Sequence, residues 1–444
     1  MNELQRTYRG SAERAEDERR ELGSGGAERA VLVASLACGR DEEQDRLDEM
    51  AELLRTAGAR VVERLVQHRD RPDPRTYLGR GRLEELIELV RTAKPDLVAV
   101  EGELSAGQQR HLEDRLKTRV VDRTAVILDI FALHAGTAEA KTQVELAQLE
   151  YSYARQEGLW QHLERLGGGV GTRGPGETQL ESDRRILRQR MGALRRKLRD
   201  VARSRDVMRE RRLAADLTRV AIAGYTNAGK SSLMNALTGA GVDVDDALFE
   251  TLDATTRAID EAGVRILLSD TVGFIRHLPH QLVESFASTL DEVRDAHMLL
   301  LVADAAEDEA RLVARARAVE DVLEEIGAGE LPRLLVLNKV DLLDDAAREA
   351  LRNRFPDAVQ ASARTGEGLA DLRGRLVAFA RARLERVEVL VPYARGDVVS
   401  AMYAAGRDVV QEPREDGTLM RALLPAADAA RIRASLRTGA RADG

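Results

Sequence analysis

The feature of this sequence that most constrains its fold is an eight-residue segment that runs from Gly224 to Ser231. It matches the pattern G-x-x-x-x-G-K-[ST], in which a lysine and a hydroxyl side chain follow the second glycine. The apolar run from Val220 to Ala223 predicts a strand before it, and residues 232–237 can form a helix after it. This is the setting of a phosphate-binding loop, because backbone N–H groups of the turn and the helix N-terminus can surround a diphosphate.

The residues of this loop have distinct predicted roles. Lys230 is expected to bind the β- and γ-phosphates, which makes it a predicted catalytic residue, and the hydroxyl of Ser231 is expected to bind Mg²⁺. The other predicted nucleotide contacts of the loop are Gly224, Tyr225, Thr226, Asn227, Ala228 and Gly229. The alternative is a glycine turn before a surface helix, and the later motifs argue against it.

The first later motif is an apolar strand, Ile266 to Leu268, that leads into the pattern Asp-x-x-Gly. Asp270 is expected to hold the Mg²⁺ shell through water, and the N–H group of Gly273 is expected to meet the γ-phosphate as a catalytic contact. Thr271 and Val272 complete the predicted nucleotide contacts of this motif.

The second later motif predicts which base is bound. An apolar strand ends in four residues, Asn338, Lys339, Val340 and Asp341. The carboxylate of Asp341 can accept two N–H bonds from guanine, whereas adenine has no such pair of donors and would leave the carboxylate unpaired. Backbone contacts to the base oxygen are expected from three further residues, Ala361, Ser362 and Ala363.

The first switch should lie between Lys230 and Asp270, and residues 248–257 are the candidate segment. A threonine hydroxyl there would bind Mg²⁺ and close over the γ-phosphate. Spacing alone leaves three candidates open, Thr251, Thr255 and Thr256. Together with the motifs above, this order of segments predicts a GTP-binding domain over residues 215–385.

Phe274 follows Gly273 at a position where many GTPases carry a glutamine that orients the attacking water. A phenyl ring cannot polarise water. The sequence therefore leaves two options: a partner supplies the missing group, or intrinsic hydrolysis is slow.

Composition limits the class of protein. The chain has 444 residues, 68 basic and 76 acidic, with a formal charge of −8. Such a length predicts about two to four domains. Cys38 is the single cysteine, which excludes a disulfide framework and fits a reducing compartment. No stretch has the length of a membrane span and no signal sequence opens the chain, so a cytoplasmic protein is expected.

The regions outside the nucleotide motifs are less specific. Residues 1–28 are charged and lack an apolar period, which predicts a disordered arm. Apolar runs over 29–136 predict a small parallel sheet with helices, and those over 386–444 predict a small α+β domain. The predicted N-terminal strands are 30–36, 60–66, 97–100 and 125–131. The segment Gly79-Arg80-Gly81-Arg82 predicts either an anion site or a tight turn with solvated arginines.

Residues 137–214 predict two long helices joined by a glycine-rich loop, Gly167 to Gly176. The second helix carries thirteen basic residues from Arg184 to Arg212 and three acidic ones, in a chain that is acidic as a whole. One interpretation is a solvated face. The other is binding of a polyanion such as RNA, recognised by shape and phosphate because aromatic residues make up only 3% of the chain.

The chain resembles the HflX family of ribosome-associated GTPases over roughly residues 30–425. Besides the nucleotide motifs, the matching segments are 77–81, 122–124, 127–131, 140–141, 143–149, 173–181 and 273–279. The resemblance implies an α/β fold with an N-terminal α/β subdomain, a long helical hairpin, a P-loop G domain and a small C-terminal α+β domain. We also expect a monomer in the free state.

The resemblance further implies a set of residue roles and an activity. By the family pattern, Thr251 is a Mg²⁺ ligand and a catalytic residue, and its neighbours Phe249, Glu250, Leu252 and Asp253 are predicted nucleotide contacts. The implied reaction is Mg²⁺-dependent hydrolysis of GTP to GDP and phosphate. The implied partner is the large ribosomal subunit with its RNA, where the GTP-bound state would split or rescue stalled ribosomes.

Two other functions stay open at this point. A regulatory GTP switch would bind a protein partner and use its basic helix only as a coiled-coil surface, and the salt dependence of partner binding would separate this function from RNA binding. An ATP-driven RNA remodelling enzyme is opposed by Asn338, Lys339 and Asp341, although the glycine segment at residues 79–82 leaves a second nucleotide site open.

Overall fold

The computed structural model describes residues 27–166, 175–214, 217–239, 248–249, 255–271, 273–276 and 287–439. Predictions for nearly all of the charged arm, for the glycine-rich loop up to residue 174, for residues 250–254 and for Val272 lie outside the described residues. None of the helices in the described part combines the length and apolar character needed to span a bilayer. The chain forms two compact units, one from residues up to 133 with 144–192, the other from 134–143 with residues 193 onwards.

The first unit is built on a parallel four-stranded sheet in the order β2-β1-β3-β4. Its strands are β1 (Glu28–Leu36), β2 (Ala59–His68), β3 (Leu97–Glu101) and β4 (Arg119–Asp122). Its helices are α1 (Arg40–Thr56), α2 (Arg80–Ala93), α3 (Ala106–Leu116) and α4 (Arg123–His134). Every side chain from Ala30 to Ala34 is buried, as expected for a central parallel strand that is covered on both faces.

One element of this unit differs from its prediction. The predicted strand 125–131 is wrong: these residues belong to helix α4, and the fourth strand is the short segment β4, which pairs with β3. Val126, Ile127 and Ile130 are all buried. A short apolar run has the same appearance in a buried strand and in a buried helix, so periodicity could not distinguish them.

Two long helices follow, α5 (Ala138–Leu166) and α6 (Pro175–Ala214). The first residue of α6 is a proline, which is favourable there because its missing N–H group needs no partner in the first helical turn. The Arg190 side chain donates to Glu145 at 2.6 Å, and that of Arg184 donates to the Tyr153 hydroxyl at 3.0 Å. Because the later residue of α6 pairs with the earlier residue of α5, the helices run antiparallel and form the predicted hairpin.

The second unit contains a six-stranded sheet in the order β10-β9-β8-β5-β7-β6, parallel except at β6. Its strands are β5 (Thr218–Gly224), β6 (Thr256–Glu261), β7 (Val264–Asp270), β8 (Met298–Asp304), β9 (Arg333–Asn338) and β10 (Val359–Gln360). Its helices are α7 (Lys230–Thr238), α8 (Ala287–Arg294), α9 (Glu309–Glu325), α10 (Asp345–Arg354) and α11 (Leu369–Ala382). Ile222, Leu300 and Val336 are buried at the centre of the core around the middle strands.

The same unit ends in a three-stranded antiparallel sheet in the order β11-β13-β12. Its elements are β11 (Glu385–Val391), α12 (Gly396–Ala405), β12 (Arg407–Arg414), β13 (Gly417–Leu424) and α13 (Ala426–Gly439). Val387 and Met420 of the sheet pack in one apolar cluster with Met402 of α12 and Ile432 of α13. This is the small α+β arrangement that the sequence predicts.

Candidate nucleotide-binding site

Four parallel strands of the six-stranded sheet bring polar or glycine residues to one edge. Gly224 ends β5, Asp270 ends β7, Asp304 ends β8 and Asn338 ends β9. Strand β5 lies in the middle and pairs with β7 on one side and β8 on the other. Ligands of open α/β sheets bind at such a point, beyond the carboxyl ends of the strands, so the fold directs these residues towards a common crevice.

The predicted phosphate loop connects β5 to α7 through a sharp turn. Gly229 has a φ of 84°, and a Cβ atom at this residue would lie 2.3 Å from the Asn338 amide nitrogen. Any other residue would be strained at this positive φ, and its Cβ atom would clash with the Asn338 side chain, so this turn requires glycine. Helix α7 begins at the next residue, Lys230, whose buried side chain donates from Nζ to the carbonyl of Tyr225 at 2.8 Å. A helix N-terminus and a fixed ammonium group together favour an anion such as a phosphate.

Ser231 and Asp270 meet directly beside this loop. The Ser231 hydroxyl donates to Asp270 Oδ2 at 2.8 Å, and the Thr271 N–H group donates to Asp270 Oδ1 at 2.9 Å. The Thr271 hydroxyl donates to the carbonyl of Ile222 at 2.7 Å and so ties this motif to β5. The pair offers hard oxygen ligands of the kind that Mg²⁺ uses, one or two from the protein with the rest from phosphates and water.

The backbone around Gly273 lies against the phosphate loop. Phe274 exchanges two hydrogen bonds with it, accepting from the Thr226 N–H group at 2.8 Å and donating to the Gly224 carbonyl at 3.1 Å. A Cβ atom on Gly273 would lie 3.0 Å from the Lys230 ammonium nitrogen, so this backbone passes close to the predicted phosphate-binding group. The Phe274 side chain is only 1% exposed, and its phenyl ring carries no polar group that could orient water.

The side chain of Tyr225 makes contacts within the protein that the sequence did not predict. Its hydroxyl accepts a hydrogen bond from the Arg276 N–H group at 3.0 Å, and the Arg315 guanidinium lies 4.8 Å from its ring centroid. The phosphate loop, the segment after Gly273 and helix α9 are thereby connected through one ring. These contacts join residues far apart in the chain, so no local pattern could have indicated them.

The predicted base-binding residues also come together. The buried Asn338 side chain donates to the Ala228 carbonyl at 2.9 Å and accepts from the Ala363 N–H group at 3.1 Å, which connects three of the predicted motifs. The Ser362 hydroxyl donates to Asp341 Oδ1 at 2.6 Å. This hydrogen bond first, and then the charge of a neighbouring arginine, holds the pKa of Asp341 below its ordinary range, so the carboxylate is ionised at neutral pH.

The structure describes some of the remaining predicted site residues and not others. Phe249, Val340 and Ala361 are buried, and Lys339 forms an ion pair with Asp304 at 2.7 Å. Of the predicted contacts, Glu250, Thr251, Leu252, Asp253 and Val272 lie outside the described residues.

The described part of the first switch bears on the choice of threonine. The Thr256 hydroxyl lies 3.0 Å from that of Ser269 across β6 and β7, and the Thr255 carbonyl accepts from the Asp270 N–H group at 2.9 Å. Thr256 is therefore engaged in the sheet. The choice of Thr251 as the ligand stays a prediction.

Most basic side chains of α6 whose burial is described are exposed, whereas Arg184 is partly buried. Eight of its cationic side chains face solvent, those of Arg185, Arg188, Arg190, Arg195, Arg196, Lys197, Arg199 and Arg203. Two of them form ion pairs with acidic side chains: Arg190 pairs with Glu145 at 2.5 Å, and Arg203 lies 3.6 Å from Asp200 in a largely exposed pair. Such surface pairs contribute little, about 0–1 kcal/mol, so this face keeps a positive field.

Comparison with known families assigns most of the chain. Residues 44–132 match a GTP-binding GTPase N-terminal region, residues 134–212 a GTP-binding GTPase middle region, and residues 219–339 a 50S ribosome-binding GTPase domain. The GTPase HflX of Lacrimispora saccharolytica is 43% identical over 400 residues, which are 90% of this chain and 94% of that protein. The GTPases HflX of Caldanaerobacter subterraneus and Escherichia coli are 44% and 42% identical, over 89% and 88% of this chain and 90% and 92% of theirs.

Proposed function

The chain belongs to the HflX family of GTPases and is a GTP hydrolase, and from this premise we propose that it binds the large ribosomal subunit in its GTP-bound state and splits or rescues stalled ribosomes. The observation that carries this proposal is the exposed basic face of α6 in the same chain as the nucleotide site. The proposed partner implies a cytoplasmic location.

We assign the phosphate end of the nucleotide to four residues. Lys230 would bind the β- and γ-phosphates, and the Gly273 N–H group would donate to the γ-phosphate. Ser231 would hold Mg²⁺ directly and Asp270 would hold it through water, which agrees with their mutual distance of 2.8 Å. When bound, Mg²⁺ would neutralise charge on the β- and γ-phosphates. Thr251 would add a further ligand, as the family pattern implies.

We assign the base end to Asp341. Its ionised carboxylate would accept the N1–H and N2–H groups of guanine, while Asn338 holds the surrounding loops in place through Ala228 and Ala363. This arrangement favours GTP over ATP because adenine lacks the donor pair.

The position of Phe274 supports a reaction that depends on the partner. Its ring carries no polar group that could position the attacking water, its side chain is buried, and its backbone is hydrogen-bonded to the phosphate loop. We infer that intrinsic hydrolysis is slow and that the ribosome stimulates it by completing the site.

Sedimentation of the full chain with purified large subunits tests the proposal. Binding is expected with a non-hydrolysable GTP analogue and not with GDP, and the same analogue should convert intact ribosomes into subunits on a sucrose gradient. Binding that ignores the nucleotide, or intact ribosomes in both cases, would contradict it. If binding is unaffected by salt, a regulatory GTP switch with a protein partner becomes the better account.

A further inference from the structure

The carboxylate that we assign to guanine is already engaged by donors of the protein. Asp341 Oδ1 accepts from the Ser362 hydroxyl at 2.6 Å, and Asp341 Oδ2 forms an ion pair with the Arg364 guanidinium at 2.5 Å. We propose that Arg364 competes with guanine for Asp341 and thereby sets how readily a guanine nucleotide enters the site. This inference rests on the proposed role of Asp341 in binding the base.

The two donors to Asp341 differ in their freedom to leave it. Ser362 is fully buried, and its hydroxyl oxygen also accepts from the Thr365 N–H group at 3.1 Å, so its position is fixed by the loop. The Arg364 side chain is 72% exposed, whereas that of Asp341 is 9% exposed. Arg364 can therefore rotate into solvent without a change in the fold, and it is the donor that an incoming base would displace.

The chemistry of the exchange explains why Arg364 is a suitable competitor. A guanidinium group presents N–H donors in a planar fork, as the N1–H and N2–H edge of guanine does. Leaving the Oδ2 atom of a nearly buried carboxylate without a donor would be costly, and Arg364 supplies that donor when no base is bound. Guanine can replace this donor with its own pair, whereas adenine has no equivalent pair to offer. The competition therefore adds to the preference for guanine.

The magnitude of this competition follows from the exposure of the pair. Ion pairs with one solvated partner contribute little, so the closed form should exceed the open form by about three- to fivefold. The apparent affinity of a nucleotide falls by the fraction of protein that is open. Salt screens such a pair, so raising the salt concentration should open the site.

Stopped-flow binding of a fluorescent GDP derivative to the full chain measures the effect. With that ratio the open fraction of the wild-type protein is about one quarter to one sixth, so Arg364→Ala should raise the association rate constant about four- to sixfold and leave the dissociation rate constant unchanged. In the wild-type protein, association should accelerate as salt rises from about 50 to about 300 mM, and in the variant this acceleration should be absent.

A matched control is Arg354→Ala, which removes an exposed arginine paired with Glu309 at 3.0 Å elsewhere on the G domain. It should leave both rate constants unchanged. If Arg364→Ala leaves association unchanged, or speeds dissociation instead, Arg364 does not compete with the base and the inference is wrong.

Asp341→Asn separates this inference from the assignment on which it rests. If Asp341→Asn weakens GDP binding while Arg364→Ala has no effect, only the competition is refuted. If Asp341→Asn leaves GDP affinity unchanged, the base assignment fails and the competition fails with it.

Discussion

The nucleotide site and the basic face of α6 are built in opposite ways. In the site, a few buried or partly buried side chains each contact a specified partner: Ser231 donates to Asp270 at 2.8 Å, and Asn338 donates to the Ala228 carbonyl at 2.9 Å. On α6, many side chains of the same charge face solvent, and their ion pairs are solvated. The first region recognises its ligand by geometry, whereas the second can recognise one only by its charge density.

This difference predicts how each region responds to change. Buried partners depend on one another, so one substitution in the site should have a large effect that salt does not alter. Exposed charges act nearly independently, so substitutions on α6 should have small effects that accumulate and that salt removes. The predictions below compare the two regions from the largest expected effect to the smallest.

The largest effect is expected for Asp341→Asn. An amide offers an N–H donor where the carboxylate offered an acceptor, and xanthine has a carbonyl oxygen where guanine has its amino group. The preference for GTP over xanthosine triphosphate should therefore shift by about 10⁴-fold. Competitive titration with both nucleotides measures the shift, and an unchanged preference would remove Asp341 from the base site.

A smaller but still large effect is expected for Lys230→Ala. The Lys230 ammonium is buried beside the Tyr225 carbonyl, and its loss would leave phosphate charge unpaired, which should weaken GDP and GTP binding about 10²- to 10³-fold. Lys197→Ala removes an exposed lysine of α6 and serves as the control in the same calorimetric titration. Equal losses from both variants would contradict the distinction between the two regions.

Phe274→Ala tests packing within the site. Because the ring is fully buried, its truncation should lower the free energy of unfolding by about 3–5 kcal/mol, measured by denaturant titration. Phe274→Leu keeps most of the volume, so its intrinsic GTP turnover should stay close to wild type. A large loss of turnover in this variant would give Phe274 a catalytic role.

The sequence was sufficient where a local pattern determines a local conformation. The turn at Gly229 and the start of α7 at Lys230 follow from glycine and helix-terminus chemistry, and the ends of β7 and β9 follow from apolar runs that end in polar residues. The sequence predicted the wrong secondary structure where tertiary packing determines it. Residues 125–131 form a helix in which most side chains are buried, and an apolar run of this length has the same appearance in a buried strand.

Contacts over long separations were also invisible to the sequence. Tyr225 accepts a hydrogen bond from Arg276 and contacts the Arg315 guanidinium, and the sheet brings these residues together. Arg364 pairs with Asp341 because the loops that carry them lie at the same edge of the sheet. The exposure of the basic residues on α6 was an open question as well, because a charged run has the same letters whether its side chains are solvated or paired. In each case the missing information was which elements become neighbours in space.

The smallest effect per residue is expected on α6, where four exposed arginines, Arg195, Arg196, Arg199 and Arg203, are changed together to alanine. Each phosphate contact releases condensed counterions, so each contacting arginine should contribute about 0.7–0.9 to the slope of log affinity against log salt. The fourfold variant should flatten that slope by up to about 3.6 and bind large subunits less tightly at low salt, with GDP affinity unchanged.

The control for this variant removes the same charge from another surface. Arg352, Arg354, Arg375 and Arg383 are also exposed, so changing them to alanine tests whether net charge alone matters. If both variants flatten the slope equally, the ribosome responds to the charge of the whole chain. If neither does, α6 does not bind phosphate and its arginines are a solvated face. If only the α6 variant loses salt dependence, binding depends on where the positive charge lies in the fold and not on the net charge of the chain.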